Sequence, residues 1–227
     1  MKDVVLAIDI GTTNIKCVAA RRGMQFLADA GSEYKTHNPS FLYYEQDCED
    51  WWSHCKIAIG RALAKAGVSA SEVAAIAVSS QAPSFLALTQ DGEALCPAMI
   101  WMDRRSDAQC RQMEQDLGRE EIFRETGNVA DPFYMFSELL WFKEHFPRKY
   151  AQTACVLQAN GYVNYRLTGE MTIDRTNASI TQCYNVNDED WDDNILSTYG
   201  VSRSILPRVV DTDEIIGGVS LKASQET

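Results

Sequence analysis

The segment Asp9-Ile10-Gly11-Thr12-Thr13-Asn14-Ile15-Lys16 gathers, within eight residues, the groups that handling a phosphate requires. Gly11 lets the backbone turn sharply and come close to a ligand. Successive backbone N–H groups in such a turn form a concave nest that suits phosphate oxygens. Thr12 and Thr13 add hydroxyl donors, Lys16 neutralises phosphate charge, and Asp9 at a strand end is placed to hold a hydrated divalent cation. Phosphoryl transfer is mostly positioning and charge neutralisation, so the parts match that chemistry. The same residues also suit an ordinary polar hairpin turn, since short Gly/Thr patterns are common.

The flanking residues specify the elements that position this turn. Val4 to Ile8 leads in and Cys17 to Ala20 leads out, which reads as strand, turn, strand. A third strand is predicted over Gln25 to Ala30, after a turn at Arg22-Gly23, and an irregular segment over Tyr34 to Gln46. Asp47 reads as a helix N-cap, with Asp50 in a weak capping-box position. Trp52, Cys55, Ile59, Leu63 and Ala66 keep helical spacing, a stripe for core packing, and Gly67 closes the helix. Val73 to Val78 reads as a buried strand, giving the order β-β-β-α-β. It ends in Ser79-Ser80-Gln81-Ala82-Pro83-Ser84, and in open α/β sheets ligands bind at the carboxyl ends of strands. A second hairpin follows: Phe85 to Leu88, a turn at Gln90-Asp91-Gly92, then Ala94 to Trp101. A helix over Arg104 to about Leu117 starts after Asp103 and stops at Gly118. Further helices are predicted at Glu120–Glu125, Phe136–His145, Gly161–Leu167, Asp192–Tyr199 and Ser202–Leu206, with a strand at Ala154–Gln158. No internal repeat, low-complexity run or linker interrupts the chain, so a single domain is the simplest organisation.

Composition narrows the function classes. The 227 residues are 45% hydrophobic and 23% charged, as in a globular protein with a sizeable core. A net charge of −11 argues against a nucleic-acid or anionic membrane partner. No stretch resembles a signal peptide or approaches the roughly 20 apolar residues of a membrane helix. The seven cysteines are odd in number and lack C-x-x-C spacing, so they read as small hydrophobes in a reducing cytoplasm. His37, His54 and His145 are scattered and read as surface or capping residues rather than metal ligands.

Taken together, the motifs resemble the N-terminal half of the FGGY carbohydrate kinases, which include xylulokinases and glycerol kinases. Asp9-x-Gly11-Thr12-Thr13-x-x-Lys16 is similar to that family's first phosphate loop. Glu45-Gln46-Asp47-x-Glu49-x-Trp51-Trp52 resembles the xylulokinase E-Q-D-P-E-x-W-W segment. Pro97-Ala98-x-Ile100-Trp101-x-Asp103-Arg104-Arg105 resembles P-A-I-x-W-x-D-x-R. Thr126-Gly127, Leu167-Thr168-Gly169, Asp174-x-Thr176-Asn177-Ala178-Ser179 and Asp190-Trp191-Asp192 follow in family order. Each piece is weak alone, and their joint order is specific. The resemblance spans nearly the whole chain. It implies a ribonuclease H-like α/β domain of the actin/hexokinase type, with a mixed sheet flanked by helices over residues 1–227. It also implies ATP and Mg²⁺ as cofactors and phosphorylation of a sugar or polyol hydroxyl, in a cytoplasmic protein with a homodimer left open. Asp9 would position metal and phosphate, while Gly11, Thr12, Thr13 and Lys16 would hold the ATP phosphates. The family's general base lies in a G-x-x-D-N/Q/H motif shortly after a strand that here reads Ile215 to Val219. No such motif occurs before Thr227, so the chain is expected to be an N-terminal piece, inactive by itself, ending in a helix that begins near Ser220.

The substrate side departs from the family pattern. Xylulokinases carry G-Q-M-H-G where this chain has Ser80-Gln81-Ala82-Pro83-Ser84, and the Arg-Glu pair of glycerol kinases is missing as well. In the aspartate-proline-tyrosine run of glycerol kinases, Phe133 stands here at the tyrosine position, with Tyr134 beside it. The substrate-side candidates are therefore Gln81, Ala82, Pro83, Trp101, Asp103, Phe133 and Tyr134. Asp103 either bonds a substrate hydroxyl or caps its helix. Trp101 either walls the carbon skeleton or fills the core. Asp174 and Asn177 read as turn organisers. Two other readings stay open: another actin-like ATPase, which would share the Asp-x-Gly-Thr-Thr hairpin but not the Trp101 segment, and a non-catalytic sugar-binding module.

Overall fold

The computed structural model describes residues 2–23 and 25–227. Strand β1 (Val4–Ile10) pairs antiparallel with β2 (Asn14–Arg21), which pairs antiparallel with β3 (Gln25–Glu33). A two-residue strand, β4 (Glu45–Gln46), precedes helix α1 (Cys48–Ala66). Strand β5 (Val73–Ser80) then returns parallel to β1, giving the sheet order β3-β2-β1-β5. Alternation decides the two faces of this sheet. Leu6, Ile8, Ile10, Ile15, Cys17 and Ala19 are buried under α1, which lies across β2 and β3. The opposite face carries Val5, Ala7, Asp9, Lys16, Val18, Ala75 and Ala77, and no element of the described residues covers it.

Helix α1 follows its sequence signals closely. The Asp47 side chain accepts the Glu49 amide at 2.9 Å, and Gly67 ends the helix at φ +66° with its N–H on Ala64 O. Asp50 takes no part as a capping-box partner; its amide bonds the Asp47 carbonyl instead. Trp51, Trp52, Cys55, Ala58, Ile59, Ala62 and Leu63 are buried, whereas Ala66 is only half-buried. Full burial of each large apolar side chain stabilises by about 1.5–3 kcal/mol.

A second sheet, ordered β4-β7-β6-β8, is built from β6 (Ser84–Leu88), β7 (Ala98–Ile100) and, after the helices below, β8 (Cys155–Leu157). All its pairings are antiparallel. Strands β6, β7 and β8 are buried on both faces: Leu86, Leu88, Ile100 and Leu157 join the core under α1, while Phe85, Ala87, Met99 and Val156 join a second core. That two-sided burial explains their unbroken apolar runs. Between β7 and β8 lie α2 (Asp107–Leu117), α3 (Arg119–Thr126), α4 (Met135–His145) and α5 (Pro147–Tyr150). Then come α6 (Ala159–Thr168), β9 (Thr172–Asp174), α7 (Arg175–Ser179), β10 (Tyr184–Asn185), β11 (Asp190–Trp191), α8 (Asp193–Thr198), β12 (Arg208–Val210) and α9 (Leu221–Glu226). Strand β12 pairs parallel with β9, and β10 pairs antiparallel with β11.

Several expectations are corrected. β5 is only half-buried: Val73, Ile76 and Val78 pack on the core, while Ala75, Ala77 and Ser79 are exposed on the uncovered face of its sheet. The run Ala94 to Trp101 pairs regularly only over Ala98–Ile100, since Pro97 has no N–H to give a ladder. Helix α2 starts at Asp107 rather than Arg104, and Ser106, not Asp103, is its N-cap residue. Ile215 to Val219 is no strand here; Ile215 is 90% exposed, and Gly217 and Gly218 leave little to pack. His54 is half-buried and caps no helix; its ring nitrogen bonds the Ser32 hydroxyl at 2.7 Å. Ser220 does cap a helix, its side chain accepting the Ala223 amide. All seven cysteines are free, and burial pushes the Cys17 and Cys48 thiols up to about 11. No helix of the described residues is long and apolar enough to cross a membrane.

Candidate functional site

The turn Gly11–Thr13 sits where β1 passes into β2, and each of its carbonyls is held. Gly11 O accepts the Tyr34 hydroxyl, Thr12 O accepts Gln46 Nε2 at 2.8 Å and Thr36 Oγ1 at 3.3 Å, and Thr13 O accepts the Tyr34 amide at 3.1 Å. The Gly11 amide closes the turn on Asn14 O at 2.9 Å. The Thr12 and Thr13 amides have no acceptor among the described residues. Carbonyls bonded and amides free is the polarity an anion needs. A Cβ at Gly11 would lie 3.0 Å from Asn14 O, so the close turn depends on glycine.

Strand register sets the charges beside this turn. Lys16 stands opposite Asp9 on β2, and Ser79 stands opposite Asp9 on β5, so the three form a row on the uncovered sheet face. Asp9 and Lys16 are exposed and enter no ion pair among the described residues. The negative charge of Asp9 also reaches Tyr34, whose hydroxyl is held well above its usual range by burial first and by Asp9 second. An exposed, unpaired carboxylate next to free amides fits a hydrated cation and the phosphate it accompanies.

The substrate-side candidates divide. Trp101 is 44% exposed, and its indole N–H donates to Thr12 Oγ1 at 3.0 Å, which brings it to the Gly11–Thr13 turn. Gln81 is half-buried; its amide N–H bonds Ile10 O at 2.7 Å and its Nε2 bonds Gln46 Oε1 at 2.6 Å, while its Oε1 has no partner. Ala82 is exposed and Pro83 is buried, with a cis peptide between them. The Phe133 and Tyr134 rings lie 4.1 Å apart, tilted at 33°, and Arg104, ion-paired with Asp131, lies 5.4 Å over Phe133.

Asp103 departs from both of its readings. It has no exposed area and does not cap α2. Its Oδ1 accepts the Arg105 amide and Nε at 2.9 Å each, and its Oδ2 accepts the Tyr44 amide and Arg105 Nη2 at 2.7 Å each. Arg105 in turn pairs with Glu45 at 2.8 Å and stacks 3.9 Å over Tyr43. Asp103 therefore shapes the loop that carries Trp101 and Arg104 instead of meeting a ligand. Glu138 of α4 lies beside this node, wholly buried, with neither carboxyl oxygen bonded. Burial first, and then the Asp103 charge, hold its carboxyl well above the usual range, against the opposing pull of Arg105.

Tyr34, Thr36 and Gln46 escaped the sequence reading as site residues. Alternation of hydroxyl side chains at 34 and 36, just past β3, was the available signal, since one strand face then meets the turn. Asp174 and Asn177 organise a turn as read: Asp174 caps α7 and accepts both the amide and the Nδ2 of Asn177.

Comparison with known proteins agrees with this architecture. The glycerol kinase of Bradyrhizobium diazoefficiens is 34% identical over 221 residues, covering 94% of this chain and 44% of that kinase. The crystal structure of xylulose kinase from Rhodospirillum rubrum superposes with a TM-score of 0.93 at 22% identity, over 99% of this chain and 46% of that one. Plasmodium falciparum glycerol kinase with ADP superposes with a TM-score of 0.89 at 18% identity, over 98% of this chain and 46% of that one. The chain thus spans about half the length of the relatives it matches. The fold is that of the sugar kinases, the actin/hexokinase type. The model of the FGGY family of carbohydrate kinases, N-terminal domain, matches residues 4–227, and the chain belongs to that family.

Proposed function

We propose that this chain supplies the phosphate turn and the acceptor wall of an ATP-dependent kinase acting on a hydroxyl of a small sugar or polyol. The observation that carries the reading is the Gly11–Thr13 turn, with carbonyls bonded and amides free, joined to exposed Trp101 through the Thr12 hydroxyl. An aromatic face suits the carbon skeleton of a polyol, and the neighbouring amides suit the phosphate to be transferred. The Trp101 link favours a sugar kinase over another actin-like ATPase.

Asp9 would hold a hydrated Mg²⁺, which when bound neutralises phosphate charge. Thr12, Thr13 and Lys16 bind and orient the nucleotide phosphates. Gln81, Ala82, Phe133 and Tyr134 complete the acceptor side, and Pro83 backs it from the core. No general base is assigned within these residues. The free, mostly buried cysteines fit a cytoplasmic protein.

A coupled ADP-release assay on the protein that carries this chain, against glycerol, xylulose, gluconate and related polyols, tests the proposal. Acceptor-dependent ADP release with at least one of them is the expected result. Absence of both acceptor-dependent release and nucleotide binding would overturn it.

A further inference from the structure

Resting on that reading, we propose that Gln46 is a positioning residue that couples acceptor binding to nucleotide binding through its one side-chain amide. Gln46 ends β4 with no exposed area, between the two halves of the site. Its Nε2 donates to Thr12 O at 2.8 Å and to Thr36 Oγ1 at 2.8 Å. Its Oε1 accepts Trp51 Nε1 at 2.8 Å and Gln81 Nε2 at 2.6 Å.

Chemistry fixes which end is which. A carbonyl oxygen only accepts, so the Thr12 side of the amide must be nitrogen. An indole N–H only donates, so the Trp51 side must be oxygen. Because Gln46 thereby presents oxygen to Gln81, Gln81 must present nitrogen, and its own Oε1 is left as the unpartnered acceptor. Both hydrogens and both lone-pair sites of the Gln46 amide are used, so it has no spare position to relax into. A shift of Gln81 on meeting an acceptor hydroxyl is passed to the Thr12 carbonyl, and a shift of the phosphate turn is passed back. Trp101 on the Thr12 hydroxyl gives the acceptor side a second hold on the same residue. Such coupling is reciprocal: each ligand tightens the other by the same factor.

Gln46→Glu keeps the size and the acceptor for Trp51 and Gln81 but loses the hydrogens given to Thr12 and Thr36. Trp51→Phe removes an indole donor and some buried ring volume but leaves both Nε2 bonds and the Gln81 bond of Gln46 in place, and serves as the control for packing loss. Calorimetry on the protein that carries this chain, titrating ADP with and without saturating glycerol or xylulose, measures the coupling. Wild type and Trp51→Phe are expected to bind ADP at least about fivefold tighter with the acceptor present, and Gln46→Glu less than about twofold tighter. Equal coupling in wild type and Gln46→Glu, or none in wild type, overturns the proposal. A ligand-free measurement separates its failure from failure of the kinase reading. In NMR spectra of the 227-residue chain, Gln81→Ala is expected to shift the Thr12 and Thr13 amide resonances, and to shift them far less when Gln46→Glu is also present. Unmoved Thr12 and Thr13 resonances in Gln81→Ala overturn the proposal even if no nucleotide binds or Gln46→Glu fails to fold.

Discussion

Glu138 shows how a single carboxyl makes stability depend on pH. Arg105 already answers Asp103 and Glu45, so an ionised Glu138 would add unbalanced negative charge to a buried node. Its raised folded-state affinity for a proton is a stabilising contribution that is complete below the ordinary glutamate range. That contribution is lost as pH rises through the higher, folded-state value, because only the unfolded chain then releases the proton freely. Glu138→Gln should therefore raise stability above the ordinary glutamate range and flatten its fall as pH rises further. Urea midpoints of both proteins across that rise would check it, and parallel curves would contradict it. Asp9 makes the contrasting case, an exposed carboxylate with no partner to stabilise. Asp9→Asn should leave the melting temperature nearly unchanged while lowering kcat by on the order of 100-fold, with acceptor KM within about threefold. A kcat within about twofold would reduce Asp9 to a turn residue. The Gly11–Thr13 turn itself was legible because its glycine and hydroxyls stand in one short run between two apolar strands. Asp103 misled because its burial depends on a distant partner: beside the bonds from Arg105, it accepts the Tyr44 amide from 59 residues away, which nothing in the sequence announces.

At the scale of elements, legibility tracked how local the deciding interactions are. Helix α1 carries its N-cap, its apolar stripe and its terminating glycine in one stretch from Asp47 to Gly67, and the structure follows all three. Asp47→Ala should cost about 1 kcal/mol through the lost bond to the Glu49 amide, seen as a lower chemical-denaturation midpoint with unchanged slope. Loss near zero would mean that water replaces the cap without penalty. Strand β5 was misjudged for the opposite reason. Its residues are Val, Ala and Ile, and composition says what a strand is able to bury but not whether a neighbour exists to bury it. The short pairs β9–β12 and β10–β11 went unread because two- and three-residue ladders are set by tertiary contact and lack a period.

Across the whole molecule, the β4-β7-β6-β8 sheet acts as a common wall between two cores, so substitutions on either side of β6 are felt together. Its consequence for the site is direct: β4 carries Gln46, and the buried strand β7 ends one residue before Trp101, so both residues are anchored to that wall. The first sheet has the opposite character on its outer side. An uncovered face of Val5, Ala7, Val18, Ala75 and Ala77, next to a β5 edge with unanswered backbone groups, is a template for another strand. A chain in this state is prone to self-adhesion in which β5 of one copy seeds pairing with the next. Light scattering of the 227-residue protein should show mass rising with concentration, and a lysine placed at Ala77, pointing from that face, should suppress the rise while leaving the buried cores intact.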